Sequence, residues 1–287
     1  MTPSTNLPNL VTPSPSLVVR AFGLTDPGRV RPSNEDQFLV AELSRTLRVR
    51  QTSLSQASTH RSRGRGHVLL VADGMGGHAA GEVASALTVE TVEGFVVELL
   101  RRFSNLQADD ESGVLADLRE AVKQADARIF EESELNPEFA GMGTTLTMAF
   151  ASGRRLFVFH AGDSRCYLCR SGRLARLTED HTVTAELVRS GAITPEQAKS
   201  HPSRHVVTNI LGGGHAGVHV DVRRAELEAG DVVLLCSDGL TDMLDDAHIT
   251  AVLTAEPDPE AACTRLIAEA NAAGGKDNIT AVVARYA

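Results

Sequence analysis

Two apolar runs in this chain end in the same way, with an aspartate followed by a glycine. Residues 68–72 lead directly into Asp73-Gly74, and residues 232–236 lead through Ser237 into Asp238-Gly239. Unbroken apolar runs of about five residues are typical of strands that are buried on both faces. The pattern therefore predicts two buried strands, each of which delivers a carboxylate to a flexible glycine turn.

The remaining apolar positions predict more strands and two pairs of helices. Apolar residues three and four positions apart indicate long amphipathic helices over residues 83–100 and 115–129, and a second pair over 247–254 and 259–273. Strands are predicted at residues 18–24, 37–41, 145–150, 156–160, 166–169, 174–177, 218–222 and 279–284, with a hairpin turn at Ser171-Gly172. Because strands cluster together and long helices come in consecutive pairs, the predicted class is α+β.

Three segments lack the periodicity of regular elements. Residues 1–15 are rich in Pro, Ser, Thr and Asn and are predicted to be a disordered tail, which leaves residues 16–287 as a single domain. Residues 44–66 contain six arginines, and we interpret them as an exposed, basic hairpin loop, with a docking surface for acidic partners as the alternative. Residues 180–214 are predicted to form an irregular, mobile flap with a short helix near residues 184–190.

Composition narrows the class of protein. With 42% hydrophobic and 23% charged residues in 287, the chain is typical of a globular protein with a deep core. The formal charge of −9 argues against a nucleic-acid binder, because phosphate backbones require a positive surface. No apolar run approaches the ~20 residues that span a bilayer, and we expect no secretory signal at the N-terminus.

The four cysteines indicate a reducing environment. Cys166 and Cys169 have the spacing of a zinc or redox motif, but no second pair accompanies them. Positions three apart on a strand face opposite sides, which does not suit a shared site. We therefore expect buried, reduced cysteines and a cytoplasmic location.

Acidic residues beside predicted turns are the candidate metal ligands. Glu35, Asp73, Asp238 and Asp277 are far apart in sequence, yet each lies at a strand end or next to a tight turn. If these strand ends meet, the crowded carboxylates need cations, because their mutual repulsion would otherwise destabilise the fold. Oxygen ligands without a His/Cys set favour Mn²⁺ or Mg²⁺ over zinc, and a carboxylate shared by two such ions suits activation of a water molecule for hydrolysis.

Arg31 adds a candidate phosphate ligand four residues before Glu35. A guanidinium binds phosphate oxygens through paired hydrogen bonds. Phosphate esters suit the predicted centre, since their uncatalysed hydrolysis is very slow and their charge must be neutralised. The alternative for Arg31 is a surface arginine in a turn.

Seven short motifs, spread over residues 18–285, carry a family resemblance. They are Gly28-Arg29-Val30-Arg31-x-x-Asn34-Glu35-Asp36, Val71-Ala72-Asp73-Gly74-Met75-Gly76-Gly77-His78, Gly143-Thr144-Thr145, His160-Ala161-Gly162-Asp163-Ser164-Arg165, Leu177-Thr178-Glu179-Asp180-His181-Thr182, Ser237-Asp238-Gly239-Leu240-Thr241-Asp242 and Gly275-Lys276-Asp277-Asn278-Ile279-Thr280. Each motif is weak by itself. Together and in this order they resemble the metal-dependent serine/threonine protein phosphatases of type 2C, in their bacterial form.

The resemblance implies a fold and a pair of metal ions. The implied fold is a four-layer αββα sandwich, two mostly antiparallel β-sheets flanked by helix pairs, with two divalent ions (Mn²⁺ or Mg²⁺) in a cleft at one end. By position, Asp73 would bridge both ions. Asp238 and Asp277 would also coordinate the first ion, and Glu35 and the carbonyl of Gly74 would coordinate the second.

Further roles follow from the same resemblance. Asp163, together with Asp238, would hold a third and weaker ion. Asp36 would orient metal-bound water, and Arg31 would bind the phosphate. Residues 16–287 would then form a phosphatase catalytic domain that hydrolyses phosphoserine and phosphothreonine by direct attack of a metal-bridging hydroxide, without a phosphoenzyme.

The group that protonates the leaving oxygen stays open at this point. Some eukaryotic members carry a histidine directly after the central Asp-Gly, where this chain has Met75. The candidates are His78, His181 and a water on the third ion. His160 is expected to be a packed strand residue rather than a ligand.

Two alternative functions remain on sequence grounds. One is a phosphatase of small phosphoesters, and the other is a catalytically silent regulatory domain, which is less favoured because every expected carboxylate is present. The expected partners are phosphorylated proteins, substrates of a serine/threonine kinase by analogy. We expect a cytoplasmic monomer that binds neither nucleic acid nor membrane.

Overall fold

The structure, a computed structural model, describes residues 17–43, 46–52, 59–61, 66–76, 80–103, 111–214 and 217–287. Two antiparallel β-sheets pack face to face, and helices cover the outer face of each sheet. The predicted α+β sandwich is therefore confirmed. The predicted tail at residues 1–15 lies outside the described residues.

The first sheet has five strands in the described part of the chain. Numbered along the chain, they run in the order β1 (Val19–Asp26), β14 (Ile279–Tyr286), β13 (Val232–Cys236), β9 (Arg165–Arg170) and β10 (Arg173–Arg176). All neighbours are antiparallel. The predicted turn at Ser171-Gly172 joins β9 to β10 with φ values of 50° and 73°, and two consecutive left-handed residues are typical of a type I′ hairpin.

The second sheet forms the other inner layer. Its path is β12 (Asp221–Glu226), β8 (Arg155–Ala161), β7 (Leu146–Ser152), β5 (Gly66–Met75), β2 (Asp36–Leu43), β3 (Thr46–Thr52) and β4 (Thr59–Arg61). Two short strands, β6 (Gly143–Thr144) and β11 (Leu211–Gly212), pair beside the end of β5. The hairpin loop predicted over residues 44–66 contains β3 and β4, which extend this sheet by antiparallel pairing.

Alternate residues of the central strands face different cores, because side chains alternate along a strand. On β5, Leu69 faces the interior between the sheets, while Leu70 faces the helices. On β14, Val282 faces the interior between the sheets, while Val283 faces the other helix layer. Because both faces of these strands are buried, their sequences are unbroken apolar runs.

Each outer layer is a pair of helices. Helices α1 (Ala80–Phe103) and α2 (Glu111–Leu135) cover the second sheet, and α6 (Asp246–Ala255) and α7 (Pro259–Ala272) cover the first, with the short α5 (Asp238–Thr241) before them. The stripe predicted for α2 is fully buried at Leu118, Val122 and Ile129. Asp245 and Asp258 accept hydrogen bonds from backbone N–H groups in the first turns of α6 and α7, and these N-caps explain where the helices begin.

The strand predicted at residues 218–222 begins late, at Asp221. Val218 and Val220 are buried, which produced the apolar signal. However, the N–H of Val218 donates to Asp126 Oδ2 (3.1 Å) on α2, and the N–H of His219 donates to Asn209 Oδ1 (2.9 Å). Side chains thus accept the hydrogen bonds that a neighbouring strand would otherwise receive.

The flap segment, residues 180–214, contains two short helices, α3 (Val183–Arg189) and α4 (Pro195–Lys199), instead of the single helix predicted. Each begins at a threonine N-cap, Thr182 and Thr194, and the second forms a capping box with Gln197. The segment closes on itself, because the N–H of Thr208 donates to the carbonyl of His181 (2.8 Å). The predicted mobility of the flap stays a prediction.

The structure bears on the predictions about membrane-spanning segments and about the cysteines. Every helix within the described ranges is too short or too polar to cross a bilayer. Cys166, Cys169, Cys236 and Cys263 are free and buried. Burial raises the pKa of each of these thiols, so they are poor nucleophiles.

The helix layer on the second sheet gives a stability prediction. Leu118→Ala should lower the free energy of unfolding by about 2–5 kcal/mol, because a fully buried leucine leaves a cavity. Leu135→Ala is the matched control on the same helix, since Leu135 is 75% exposed, and it should change the value by less than about 0.5 kcal/mol. Urea denaturation measures both, and equal effects would contradict the placement of this stripe.

Candidate metal centre

The segments that carry the predicted carboxylates meet at one end of the sandwich. In the second sheet, the start of β2 pairs with the end of β5, so that Asp36 lies opposite Asp73. In the first sheet, the end of β13 pairs with the start of β14, where Cys236 lies opposite Ala281. Antiparallel pairing therefore places two strand starts and two strand ends at the same edge of the two sheets.

A cleft of about 1760 Å³ opens at this edge. Seven of the eight predicted site residues line it, namely Arg31, Glu35, Asp73, Gly74, Asp163, Asp238 and Asp277. The eighth, Asp36, is 1% exposed and lies behind Asp73. The structure thus brings together residues that are up to 246 positions apart in the chain.

Crowding and burial shift the pKa values of these carboxyl groups upwards. Burial, reinforced by neighbouring carboxylates, raises the pKa of Asp73 and of Asp238 well above the ordinary range. Burial raises the pKa of Asp36 to about 6 and that of Asp163 to about 7. Burial also raises the pKa of Glu35. Without cations, the cluster therefore holds protons that isolated carboxyl groups would release.

Asp36 joins the two sheets beneath the cleft. Its Oδ2 atom accepts hydrogen bonds from Ser237 Oγ (2.7 Å) and Thr280 Oγ1 (2.6 Å), which both belong to the first sheet or its strand ends. Its Oδ1 atom is buried and has no hydrogen-bond partner among the described residues. A buried acceptor without a donor is costly, so this oxygen suits a water molecule or another donor in the centre.

The backbone of Asp73 is held by two threonines. Its N–H donates to Thr145 Oγ1 (3.0 Å), and its carbonyl accepts from the N–H of Thr145 and the hydroxyl of Thr144 (both 2.9 Å). Thr145 Oγ1 also contacts Ser164 Oγ (2.8 Å), next to Asp163. The motif at residues 143–145 thereby connects the segments of two cleft carboxylates, a role that its sequence did not reveal.

Asn278 is a functional position that the sequence reading missed. Its Oδ1 accepts from the N–H of Glu35 (2.8 Å), and its Nδ2 donates to the carbonyls of Pro27 (3.1 Å) and Ser33 (2.8 Å). One buried amide therefore fastens the loop that carries Arg31 and Glu35 to the turn that carries Asp277. In the sequence, the only indication of this role is that Asn278 follows Asp277, a candidate metal ligand.

Two glycines allow α1 to approach the Glu35 segment. A Cβ atom on Gly74 would lie 2.1 Å from the carbonyl oxygen of Gly81, and one on Gly81 would lie 2.4 Å from Glu35 Oε2. Any side chain at these two positions would push the helix or the carboxylate away. Gly74 was predicted as part of the site, whereas Gly81 was missed because nothing in its local sequence indicates the contact.

Arg31 reaches the cleft from the loop before β2. Its Nη2 donates to Asp277 Oδ2 at 2.6 Å, and this hydrogen bond raises the pKa of the guanidinium. The side chain remains 55% exposed. The remaining donors of the fork can therefore bind an anion that enters the cleft.

The histidines are placed differently from some expectations. His181 is excluded as a proton donor in the cleft, because its Nδ1 accepts from Gly162 N–H and Asn209 Nδ2, while its Nε2 faces Asp221 Oδ2 at 3.3 Å. His78 lies outside the described residues. His205, which the sequence reading missed, lines the cleft from the flap, with its Nδ1 3.5 Å from Asp242 Oδ2.

His160 is a packed strand residue, as predicted. It is 1% exposed on β8, with Nδ1 2.9 Å from Thr147 Oγ1 and Nε2 3.0 Å from the carbonyl of Glu179. Since a carbonyl only accepts, Nε2 carries the proton. Burial and the neighbouring His181 ring lower the pKa of His160 to about 4. The imidazole is therefore neutral near pH 7.

The turn that presents Asp163 is supported by an ion pair. Arg165 donates to both carboxylate oxygens of Asp180, at 3.0 and 2.8 Å. Burial alone would raise the pKa of Asp180, but the hydrogen bonds and charge of Arg165 lower it overall. This bidentate pair links β9 to the start of the flap.

Several known proteins are similar in sequence to this chain over most of its length. Residues 47–270 match the family described as Protein phosphatase 2C. The serine/threonine protein phosphatase PstP of Mycobacterium tuberculosis is 38% identical over 270 residues, which is 94% of this chain and 45% of PstP. The serine/threonine phosphatase stp of Listeria welshimeri is 32% identical over 259 residues, which is 90% of this chain and 92% of stp. The chain thus spans less than half the length of PstP.

Solved structures agree with these sequence matches. The crystal structure of the catalytic domain of PstP in complex with two manganese ions is 36% identical, with a TM-score of 0.72 over 94% of this chain and 99% of that one. The family match covers more than half of the chain, and the structural match covers 94% of it. The chain therefore belongs to the protein phosphatase 2C family.

Proposed function

We propose that this protein is a metal-dependent protein phosphatase that hydrolyses phosphoserine and phosphothreonine. The convergence of acidic side chains from separate segments in one cleft, with the Arg31 guanidinium beside them, carries the proposal. The relatives named above as serine/threonine phosphatases support it. The experiment that tests it is hydrolysis of a phosphothreonine peptide with Mn²⁺, Mg²⁺ or chelator in parallel.

The residues of the cleft fit divalent cations. All candidate ligands are oxygen atoms, the pKa values of the carboxyl groups are raised by burial and mutual repulsion, and Asp36 Oδ1 has no partner among the described residues. Hard cations such as Mn²⁺ or Mg²⁺ prefer such ligands and remove the repulsion. When bound, they lower the pKa of a coordinated water and neutralise phosphate charge, which is the chemistry that hydrolysis needs.

We assign the ligands as the family resemblance implies. Asp73 would contact two ions, with Asp238 and Asp277 at the first and Glu35 and the carbonyl of Gly74 at the second. Asp163 would share a third, weaker ion with Asp238. The two manganese ions of the PstP catalytic domain support the number of main sites.

The protein side chains have separate tasks in the proposed reaction. Asp36 accepts from a water in the centre through its free oxygen, because its other oxygen is occupied by Ser237 and Thr280. Arg31 binds the phosphate and stabilises its negative charge. Three groups are proposed as candidates to protonate the leaving oxygen: the imidazole of His78, the imidazole of His205 and a water molecule in the cleft.

Further properties are proposed with the activity. We propose that the substrates are products of a serine/threonine kinase, and that residues 16–287 act as one catalytic domain, monomeric and without affinity for nucleic acid. Free, buried cysteines support a cytoplasmic location. A phosphatase restricted to small phosphoesters is the second candidate, and the ratio of rates on a phosphopeptide and a small metabolite separates the two.

The metal ligands give the first activity prediction. Asp73→Asn and Asp238→Asn should each lower Mn²⁺-dependent turnover at least about 100-fold while the fold is retained, because a neutral amide is a poor ligand for a hard cation. Asp117→Asn on α2, which does not line the cleft, is the matched control. Initial rates and circular dichroism provide the measurement. Full activity in either cleft variant would refute the assignment.

Arg31 gives a second activity prediction. Arg31→Ala should raise KM about tenfold with a smaller change in kcat, since a charge-assisted hydrogen bond of about 1.5 kcal/mol is lost in both ground and transition states. Arg29→Ala is the control, because Arg29 is exposed nearby but does not line the cleft. Steady-state kinetics on a phosphothreonine peptide measure both constants. An unchanged KM would contradict the assignment of Arg31 to phosphate binding.

The raised pKa values predict how stability depends on pH. In chelator, the folded protein keeps protons on groups such as Asp36 (pKa about 6) and Asp163 (pKa about 7) that the unfolded chain releases near pH 4. The thermal midpoint should therefore fall as pH rises from about 4 to 7. Mn²⁺ should reverse the loss, because it binds the ionised cluster of the folded state.

Two variants isolate the contribution of the cluster to this pH dependence. Asp73→Asn removes one of the repelling charges and should reduce the fall in thermal midpoint measured in chelator. Glu120→Gln, an exposed position on α2, should leave the fall unchanged. A midpoint in the original protein that is independent of pH over this range would contradict the electrostatic account.

A further inference from the structure

Three cations on the walls of the cleft are unpaired. Lys199 and Arg204 belong to the flap segment, and Lys276 belongs to the turn between α7 and β14. All three line the cleft and are exposed. Across the described ranges, their side chains have no ion-pair or hydrogen-bond partner. They differ in this respect from the other cations of the cleft.

The other cations are engaged by carboxylates. Arg165 and Arg176 both contact Asp180, with shortest distances of 2.8 and 3.2 Å. Arg189 lies 3.5 Å from Glu179. Arg31 is bonded to Asp277, as described above. The paired cations thus neutralise carboxylates of the cleft, whereas the side chains of the unpaired ones are exposed to solvent.

Charge in the cleft changes sign when the proposed ions are counted. Seven lysine or arginine side chains and eight carboxylates line it, a formal charge of −1. Two divalent ions bring the total to +3. The whole chain carries −9, so this positive cleft stands out from an acidic surface. An acidic ligand would be attracted to the cleft and repelled elsewhere.

We propose that Lys199, Arg204 and Lys276 form a cationic rim that binds acidic residues flanking the phosphorylated residue of a protein substrate. The proposal rests on the proposed function and adds a substrate class to it. The cleft, at about 1760 Å³, is larger than the 300–1,000 Å³ of typical small-molecule pockets, so it can hold a peptide segment and not only a phosphorylated side chain. The free donors of the rim are then available to carboxylates on that segment.

The test compares two phosphothreonine peptides of equal length, one with Asp and Glu on both sides and one with Ala and Ser. The original protein with Mn²⁺ should show about tenfold higher kcat/KM on the acidic peptide, a difference that falls with added salt, as expected for a few exposed charge pairs. Lys199→Ser combined with Arg204→Ser should reduce this ratio to about twofold, because one of the three rim cations remains. Lys276 is left unchanged in the variant because it adjoins Asp277.

A matched control separates local from general charge effects. Arg119→Ser combined with Lys123→Ser removes the same charge from exposed positions of α2 that do not line the cleft, and should keep the preference. Rates on p-nitrophenyl phosphate, which has no flanking residues, provide the reference for each variant. The rim proposal is contradicted if the original protein has equal kcat/KM on the two peptides, or if the rim variant keeps the original ratio of kcat/KM values. Neither result would contradict the proposed phosphatase activity.

Binding tests the rim independently of turnover. Fluorescence anisotropy of labelled, unphosphorylated forms of the two peptides, with the original protein and with the rim variant, both in Mn²⁺, should show tighter binding of the acidic peptide that the rim substitutions weaken. Equal binding in both proteins would overturn the rim. Failure of Mn²⁺-dependent hydrolysis on every phosphoester would instead contradict the proposed function, and the binding result would still decide the rim.

Discussion

Repulsion among buried carboxylates is the constraint on which the active end of this molecule depends. Asp73 and Asp238 lie at strand ends of different sheets, yet both line one cleft, where burial and neighbouring carboxylates raise the pKa of each. A fold that gathers such groups is less stable without cations than one that disperses them. The cluster therefore suits a site for cations, and hydrogen bonds from neighbouring segments keep it assembled.

Neutral polar groups hold the cluster together. Ser237 and Thr280 donate to Asp36 across the two sheets, and Asn278 ties the Glu35 loop to the Asp277 turn. These hydroxyl and amide groups add no charge to a region that already has too much. Their hydrogen bonds fix the backbone positions from which the carboxylates project. They therefore preorganise the cluster.

The cleft separates charge by exposure. The carboxylates assigned to the metal centre are buried or half-buried, whereas Lys199, Arg204 and Lys276 are exposed, two of them on the flap segment. Arg31 is available to phosphate, and the three exposed cations are available to acidic neighbours. The flap is secured at its base by buried contacts, including the ring nitrogens of His181. A residue that the motif pattern suggested for proton transfer thus has a structural role.

The sequence by itself determined the layers and the carboxylates proposed as metal ligands. Apolar periodicity reports which side chains are buried, so it located the two-sided strands and the stripes of α1 and α2, and the Asp-Gly turns marked strand ends. Tertiary structure alone decided the contacts of Asn278 with the Glu35 loop, the approach of Gly81 to Glu35, and the late start of β12, where Asp126 accepts the backbone hydrogen bonds. Such contacts join residues far apart in the chain, and local patterns carry no information on how distant segments pack.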